Sequence, residues 1–171
     1  MIFRLLISTL AIGLYSFCVS SSTTTDTTPN EVQVMENKTD NTIIRAIRYQ
    51  SGKAIGANVA AEHKDSLIAI AISLLNEAEP MRIHLDEAVM KALKSEATGF
   101  EIFFSPPLTV APDAARLSKM LFLLEGDFSN HDPIPDARFF IALDDNNQYI
   151  QSPYVADNKA AMVKLLDGFL K

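Results

Sequence analysis

The pattern of apolar and polar positions from residue 42 onward is typical of alternating strands and helices. Residues 42–49 are rich in β-branched side chains and predict a strand that Gly52 and Gly56 end. Residues 62–78 carry leucine, isoleucine and alanine on all sides, which favours a largely buried helix. A strand over residues 67–75 is the alternative interpretation of the same apolar run.

The next predicted helix has recognisable start and stop signals. Pro80 ends the preceding helix, and residues 81–85 alternate with period two, as in a half-buried strand. Asp86 is a good N-cap, and Gly99 is the expected C-terminal stop. Apolar residues recur between them at helical spacing: Val89, Leu93 and Ala97.

The second half of the chain is dominated by strand patterns. Residues 100–104 predict a strand closed by the Pro-Pro pair that follows shortly after, and residues 120–124 predict a buried strand. Residues 139–143 and 148–150 flank a polar tetrapeptide, which is typical of a hairpin. Residues 157–170 predict an amphipathic helix. Its expected buried stripe consists of apolar residues: Ala161, Met162, Leu165, Leu166, Phe169 and Leu170.

The predicted element order is β-α-β-α-β-β-β-β-α, with consecutive strands in the second half. This order favours an α+β fold over a doubly wound parallel sheet, which would need helices between the later strands. We therefore expect residues 42–171 to form a single α+β domain. Its sheet should be mixed or mainly antiparallel, with about five to six strands packed by about three helices.

The N-terminal residues have the features of an export signal. Arg4 precedes a mainly apolar run over residues 5–17, and small residues follow it. The run is shorter than the roughly 20 apolar residues of a membrane span, so residues 1–20 are predicted to be a cleaved signal peptide. A retained N-terminal anchor and acylation of Cys18 are the alternatives, although Phe17 before the cysteine disfavours acylation. The expected location is secreted or periplasmic.

A polar segment rich in serine and threonine follows the signal. Residues 21–41 have few apolar side chains to bury, so they are predicted to form a disordered linker. Asn37 begins a glycosylation sequon, which matters only in a eukaryotic host. Cys18 is the one cysteine of the chain, so cleavage after Ser20 would leave neither a disulfide nor a thiol nucleophile.

Charge and composition exclude some classes of partner. The chain has 171 residues, 48% of them hydrophobic, and a formal net charge of −6. Nucleic-acid binding needs a basic surface that neutralises phosphates, and an acidic chain does not supply one. Contact with a membrane is expected only through the N-terminal signal, if it is retained.

The strongest candidate for chemistry is a polar loop with two prolines. His131, Asp132 and Asp136 lie in this loop and could bind a divalent metal or position a base, which would indicate an exported metal-dependent hydrolase. The loop has no HExxH-type spacing. His63 and His84 have no visible ligand partner, so both are expected to be surface residues.

Other candidate motifs have simpler structural explanations. Residues 144–147 resemble the opening of a calcium loop, but Tyr149 and Val155 stand where the pattern requires glycine and an acid. A hairpin turn explains the same residues. Ser105 lacks the G-x-S-x-G turn of a nucleophile elbow. The neighbouring acids Asp86 and Glu87 should point apart, as should the pair at 144–145.

These observations favour a non-enzymatic exported domain that binds another protein or a cell-envelope component. The segments 129–136 and 105–112 are the predicted binding surfaces. No cofactor and no metal are expected under this hypothesis. The hydrolase that uses the His131 loop and the lipoprotein anchored through Cys18 remain the alternatives.

Overall fold

The computed structural model describes residues 42–110, 115–130, 135–144 and 148–171. The described strands are β1 Ile43–Gln50, β2 Lys53–Ala57, β3 Glu79–Pro80, β4 Thr98–Val110, β5 Ala115–Glu125, β6 Ala137–Leu143 and β7 Tyr154–Ala156. The described helices are α1 Lys64–Glu77, α2 Glu87–Glu96 and α3 Ala160–Gly168, with a 3-10 turn at Ala61–His63. The predicted signal peptide and linker lie outside these residues.

The strands form one sheet in the order β2-β1-β4-β5-β6-β7-β3, and each adjacent pair is antiparallel. The predicted α+β class and mainly antiparallel sheet are therefore confirmed. The described sheet has seven strands instead of five to six. Three short strands, β2, β3 and β7, were not predicted, and two predicted strands are not formed, as described below. With only two and three residues, β3 and β7 are too short to show a period-two pattern.

Of the two glycines predicted to end β1, only Gly52 does so, because it lies in the turn between β1 and β2. Ser51 and Gly52 have φ values of 49° and 77°, the positive angles required by a two-residue type I′ turn. Gly56 does not end a strand. It lies within β2 opposite Ile47, on the exposed edge of the sheet.

The central strands β4 and β5 are longer than predicted. β4 continues through the Pro-Pro pair to Val110, so the strand predicted to close at residue 104 was too short. The ladder to β5 shifts register between Phe103 and Leu108, which places both prolines in a bulge where they need not donate a hydrogen bond. On the other side of β4, pairing with β1 ends at Ser105.

Helices cover both faces of this sheet. On the first face, α1 and α3 pack over alternating side chains of the central strands, including Phe100, Phe122 and Phe139. On the second face, α2 packs over a smaller cluster that includes Leu121, Leu123 and Phe140. The alternation of each strand therefore divides its side chains between two cores.

Helix α1 confirms the predicted helix and removes the alternative of a strand over residues 67–75. The residues of α1 that face the sheet are Leu67, Ile68, Ala71 and Leu74. Helix α3 begins at Ala160, later than predicted, and its buried stripe is displaced from the predicted one, because its buried residues are Ala160, Val163 and Leu166. Ala161 and Leu165 are exposed, because only the side of α3 toward the sheet is covered.

Helix α2 begins as predicted but ends earlier. The Asp86 carboxylate accepts a hydrogen bond from the Val89 amide at 2.8 Å, which confirms the N-cap. Gly99 is not the C-terminal stop, because it already lies in β4. A Cβ at Gly99 would meet the Phe122 carbonyl oxygen at 2.3 Å, so the glycine permits the close approach of β5.

Two predicted strand segments are irregular. Residues 81–85 form no strand, although Met81 and Leu85 donate backbone hydrogen bonds to Pro153 and Gln151 at 2.8 and 2.9 Å. Residues 148–150 also form no strand, and the Ile150 amide donates to the Ile141 carbonyl at 2.8 Å. These bonds hold residues 81–85 and 148–153 next to each other beside the sheet.

Arg48 connects β1 to the end of α3. Its guanidinium donates to the Asp167 and Leu170 carbonyl oxygens at 2.9 and 3.0 Å and lies 2.8 Å from the Asp167 carboxylate. A cation at this position satisfies carbonyl groups that the helix leaves without partners.

Candidate functional site

The second face of the sheet contains two buried charges beneath α2. Glu101 on β4 is 1% exposed and Lys119 on β5 is 6% exposed. The register places Glu101 opposite Leu121 and Lys119 opposite Phe103, so the two charged residues are diagonal neighbours on one face. Long side chains at diagonal positions can reach each other.

Glu101 is the centre of a hydrogen-bonded group that we call the Glu101 cluster. Tyr49 donates its hydroxyl hydrogen bond to Glu101 Oε2 at 2.6 Å, and Tyr149 donates to Oε1. Lys94 Nζ lies 3.1 and 3.2 Å from the two carboxylate oxygens, and Lys119 Nζ lies 3.9 Å from Oε1. These contacts supply the partners that a buried carboxylate requires.

The two tyrosine rings also contact the two ammonium groups. Lys119 Nζ lies 4.2 Å from the centre of the Tyr149 ring. Lys94 Nζ lies 5.1 Å from the Tyr49 ring centre and 5.6 Å from that of Tyr149. The electron-rich ring faces therefore stabilise the same charges that Glu101 pairs with.

The surroundings of the cluster change the acidity of its members. Burial raises the pKa of Tyr149 and of Tyr49, and the negative charge of Glu101 raises both further. Burial lowers the pKa of the Lys119 ammonium, while Glu101 acts against that decrease. Both phenols are consequently held in the protonated form that donates to Glu101.

Each of the five side chains comes from a different part of the chain, Glu101 and Lys119 from the adjacent strands β4 and β5. Tyr49 comes from the end of β1 and lies opposite Gly99, which leaves the space beside it free of a side chain. Lys94 comes from the last turn of α2. Tyr149 comes from the segment after β6, which is held at its neighbour Ile150 by the backbone bond to β6 described above.

A cleft of about 760 Å³ lies above the Glu101 cluster, between α2 and residues 148–152. The remaining lining residues come from α2 and the segment before it: His84, Glu87, Met90, Lys91, Lys94 and Ser95. Lys94 and Tyr149 belong both to the cleft and to the cluster, so their bonds to Glu101 fix the position of two lining residues. Its volume is within the range of small-molecule sites, about 300–1,000 Å³.

Of the residues that the sequence offered as candidates for chemistry, His84 and Glu87 line this cleft, whereas Asp136 of the His131 loop does not. His131 and Asp132 lie outside the described residues, and the hydrolase that uses this loop stays a prediction. Asp136 is half-buried, and its carboxylate accepts a hydrogen bond from the Asn158 amide at 3.1 Å. Within residues 42–110, 115–130, 135–144 and 148–171, no group of three or more His, Cys, Asp or Glu residues is placed to hold a metal.

The described start of the same loop is anchored by Asn130. Its side-chain amide donates to the Arg138 carbonyl at 2.8 Å, and its oxygen accepts from the Arg138 amide at 2.7 Å. The Asn130 backbone amide donates to the Leu123 carbonyl at 2.8 Å. Asn130 thereby joins β5 to β6. At residue 136, the bond from the Asn158 amide connects the chain to the segment before α3.

The remaining candidates have structural roles where they are described. His84 is exposed, as predicted, and it lines the cleft. His63 is half-buried, and its ring stacks on Phe169 with centroids 4.6 Å apart. Asp144 has a φ of 55°, which suits a turn, while residues 145–147 lie outside the described residues. Ser105 is exposed within β4.

The sequence-based interpretation missed all members of the Glu101 cluster. Glu101 and Lys119 stand among apolar residues in two strands, and strand alternation alone assigns such charges to a solvent-exposed face. The one sequence signal for the cluster was that Glu101 and Lys119, which have opposite charges, each lie within an otherwise apolar strand. Using it requires the register of β4 and β5 and the knowledge that α2 covers this face.

The chain matches no family model, no curated protein and no solved structure. Among the described residues, no helix is long and apolar enough to cross a bilayer. The N-terminal sequence and the geometry of the cleft are therefore the features that bear on function.

Proposed function

We propose that this protein is an exported, non-enzymatic binding domain that holds a small component of the cell envelope in the cleft between α2 and residues 148–152. The observation that carries the proposal is the cleft itself, with a volume of about 760 Å³. Met90 and Ile150 supply apolar contact, while Ser95 and Gln151 supply hydrogen-bonding groups. This mixture is typical of ligand sites.

The state of the Glu101 cluster favours binding over catalysis. A general base needs an oxygen that can reach the substrate, and both Glu101 oxygens already accept hydrogen bonds in a position that is 1% exposed. Lys119 could act as a nucleophile only if a substrate reached it, but its ammonium lies under the Tyr149 ring. The cluster is better suited to fixing the position of Lys94 and Tyr149.

Export is supported by the N-terminal sequence, in which Arg4, the apolar run and the small residues after it have the order of a signal peptide. Mass spectrometry of the protein recovered from its host tests this part of the proposal. A chain that begins at Ser21 is the expected result. An acylated Cys18 would establish a lipid anchor instead, and an intact Met1 would contradict cleavage.

Binding in the cleft is tested with a neutral, apolar fluorescent probe, phenyl-naphthylamine, on the full chain. We expect saturable fluorescence enhancement with one probe per chain. Ser95→Trp places a large side chain in the cleft and should abolish it. Ser66→Trp, an exposed position on α1 over the opposite face of the sheet, should leave it unchanged. Equal binding by both variants, or no saturable binding, would overturn the proposed site.

A further inference from the structure

We infer that the ligand of this cleft is a small organic anion, with a negatively charged head group and an aromatic or aliphatic body. The inference deepens the proposed binding function and rests on it. It is drawn from the charges around the cleft, which differ in sign from the charge of the chain as a whole.

Positive charge is concentrated at the cleft. Lys91 and Lys94 line the cleft, and Lys119 lies behind it. The negative charges at the same place are the carboxylates of Glu87, in the lining, and Glu101, beneath it. Three cations against two anions give this site a positive balance, whereas the chain carries a formal net charge of −6. A low-dielectric concave site concentrates such a local field, so it favours an anionic ligand.

The carboxylate of Glu101 does not use up the donor capacity of Lys94. An ammonium group has three N–H donors, and the acceptors of Lys94 are the two oxygens of one carboxylate. The Lys94 side chain is 30% exposed, so part of it is accessible from the cleft. Because Glu101 and the tyrosine rings fix its position, a ligand need not order this side chain at its own entropic cost.

Lys91 is the cation most open to a ligand. It is exposed, lines the cleft one turn before Lys94, and has no ion-pair partner in the part of the chain that the structure describes. Side chains three apart on a helix lie on the same face. The two ammonium groups can therefore approach one head group together.

The opposite part of the cleft suits an apolar body. Met90 is buried in the second-face core and also lines the cleft, and Ile150 and the Tyr149 ring lie across from it. A thioether and an aromatic ring adapt to planar or aliphatic groups of different shape. The cleft thus combines a cationic side on α2 with an apolar floor.

Two probes that share one aromatic body separate this inference from the proposed function. Anilinonaphthalene sulfonate is phenyl-naphthylamine with an added sulfonate, and both can be titrated by fluorescence on the full chain. We expect the anionic probe to bind more tightly than the neutral one. Lys91→Gln should weaken the anionic probe by about fivefold, equivalent to about 1 kcal/mol for an exposed charge pair, and leave the neutral probe unchanged.

Two matched variants complete the test. Lys91→Arg should retain the preference for the anionic probe. Lys164→Gln, an exposed position on α3 over the opposite face of the sheet, should affect neither probe. If both probes bind equally and Lys91→Gln changes neither, the inference of an anionic ligand is wrong while the cleft remains a binding site. If neither probe binds, the proposed function itself fails.

Discussion

Glu101 and Lys119 lie in adjacent central strands with Glu101 Oε1 and Lys119 Nζ 3.9 Å apart, and both side chains are almost fully removed from solvent. Burying two charges costs several kcal/mol of desolvation for each, and their attraction offsets that cost only when both are present. The pair is therefore sensitive to removal of one member in a way that an exposed ion pair is not.

Glu101→Leu should lower the free energy of unfolding by about 3–5 kcal/mol, because it leaves the buried Lys119 charge and the two tyrosine hydroxyls without their acceptor. The double variant Glu101→Leu/Lys119→Leu should cost clearly less than the sum of the two single variants. Urea denaturation of all four proteins measures this coupling. Costs that add within about 0.5 kcal/mol would show that the two charges do not stabilise each other.

Alkaline pH should destabilise the domain through Tyr49 and Tyr149. Their pKa values are raised in the folded state, so the unfolded chain releases these protons first and the free energy of unfolding falls as the pH rises above about 10. The lowered pKa of Lys119 acts in the opposite direction, but only until lysine in the unfolded chain also deprotonates, near pH of about 10.4.

Urea denaturation between about pH 9 and about pH 11 measures this dependence. Tyr149→Phe should make it shallower. The matched control is Tyr154→Phe, whose ring stacks on Phe139 on the other face of the sheet, and it should leave the slope as it is. A slope that is the same in the wild type and in Tyr149→Phe would contradict the proposed role of this phenol.

Gly52→Ala should destabilise the protein more than Gly126→Ala, although both glycines have positive φ values of 77° and 92°. Either change places an alanine in a left-handed conformation, at about 1–2 kcal/mol. Only at Gly52 does the new Cβ meet a backbone atom, the Ser95 carbonyl oxygen, at 2.5 Å. That contact should add about 1 kcal/mol or more.

Thermal or urea unfolding of the two glycine variants gives the difference. Since Ser95 lines the cleft, Gly52→Ala should also weaken binding of the fluorescent probes, whereas Gly126→Ala should not. Equal stabilities would mean that the turn can move away from α2 without cost.

Leu123→Ala should lower the free energy of unfolding by about 2–5 kcal/mol, the range for a buried leucine. Leu123 is 1% exposed and belongs to the core beneath α2. Leu165→Ala provides the control because Leu165 is 55% exposed, and its effect should stay within about 0.5 kcal/mol. A cost below about 1 kcal/mol at Leu123 would mean that the second core contributes little.

The sequence predicted elements where one residue pattern acted alone. The Asp86 cap, the helix over Leu67 and Leu74 and the strand around Met120 follow from local preference and apolar periodicity, and all are present. The predictions failed where tertiary contacts changed the local preference. Gly99 looked like a helix stop, but the close approach of the Phe122 carbonyl oxygen gives it another reason to be glycine.

The candidate site was less accessible to sequence reasoning than the fold. Tyr49, Lys94, Glu101, Lys119 and Tyr149 are far apart in the chain, and none belongs to a motif of fixed spacing. Their association depends on strand order and register together with the position of α2. No short-range pattern encodes those features, so the sequence alone does not indicate that these five residues come together.

The bonds from Arg48 to the end of α3 set an order of events during folding. Asp167 and Leu170 lie 119 and 122 positions after Arg48 in the chain. Asn58 also exchanges backbone hydrogen bonds with Lys171. Contacts of such long range form late, because the intervening chain must first be closed into a loop. A chain that emerges with its N-terminus first can therefore pair β1 with β2 early, but it can make the Arg48 bonds only after α3 has emerged. Under the proposed export, the contacts of Arg48 and Asn58 with residues 167–171 would form only after α3 has been translocated.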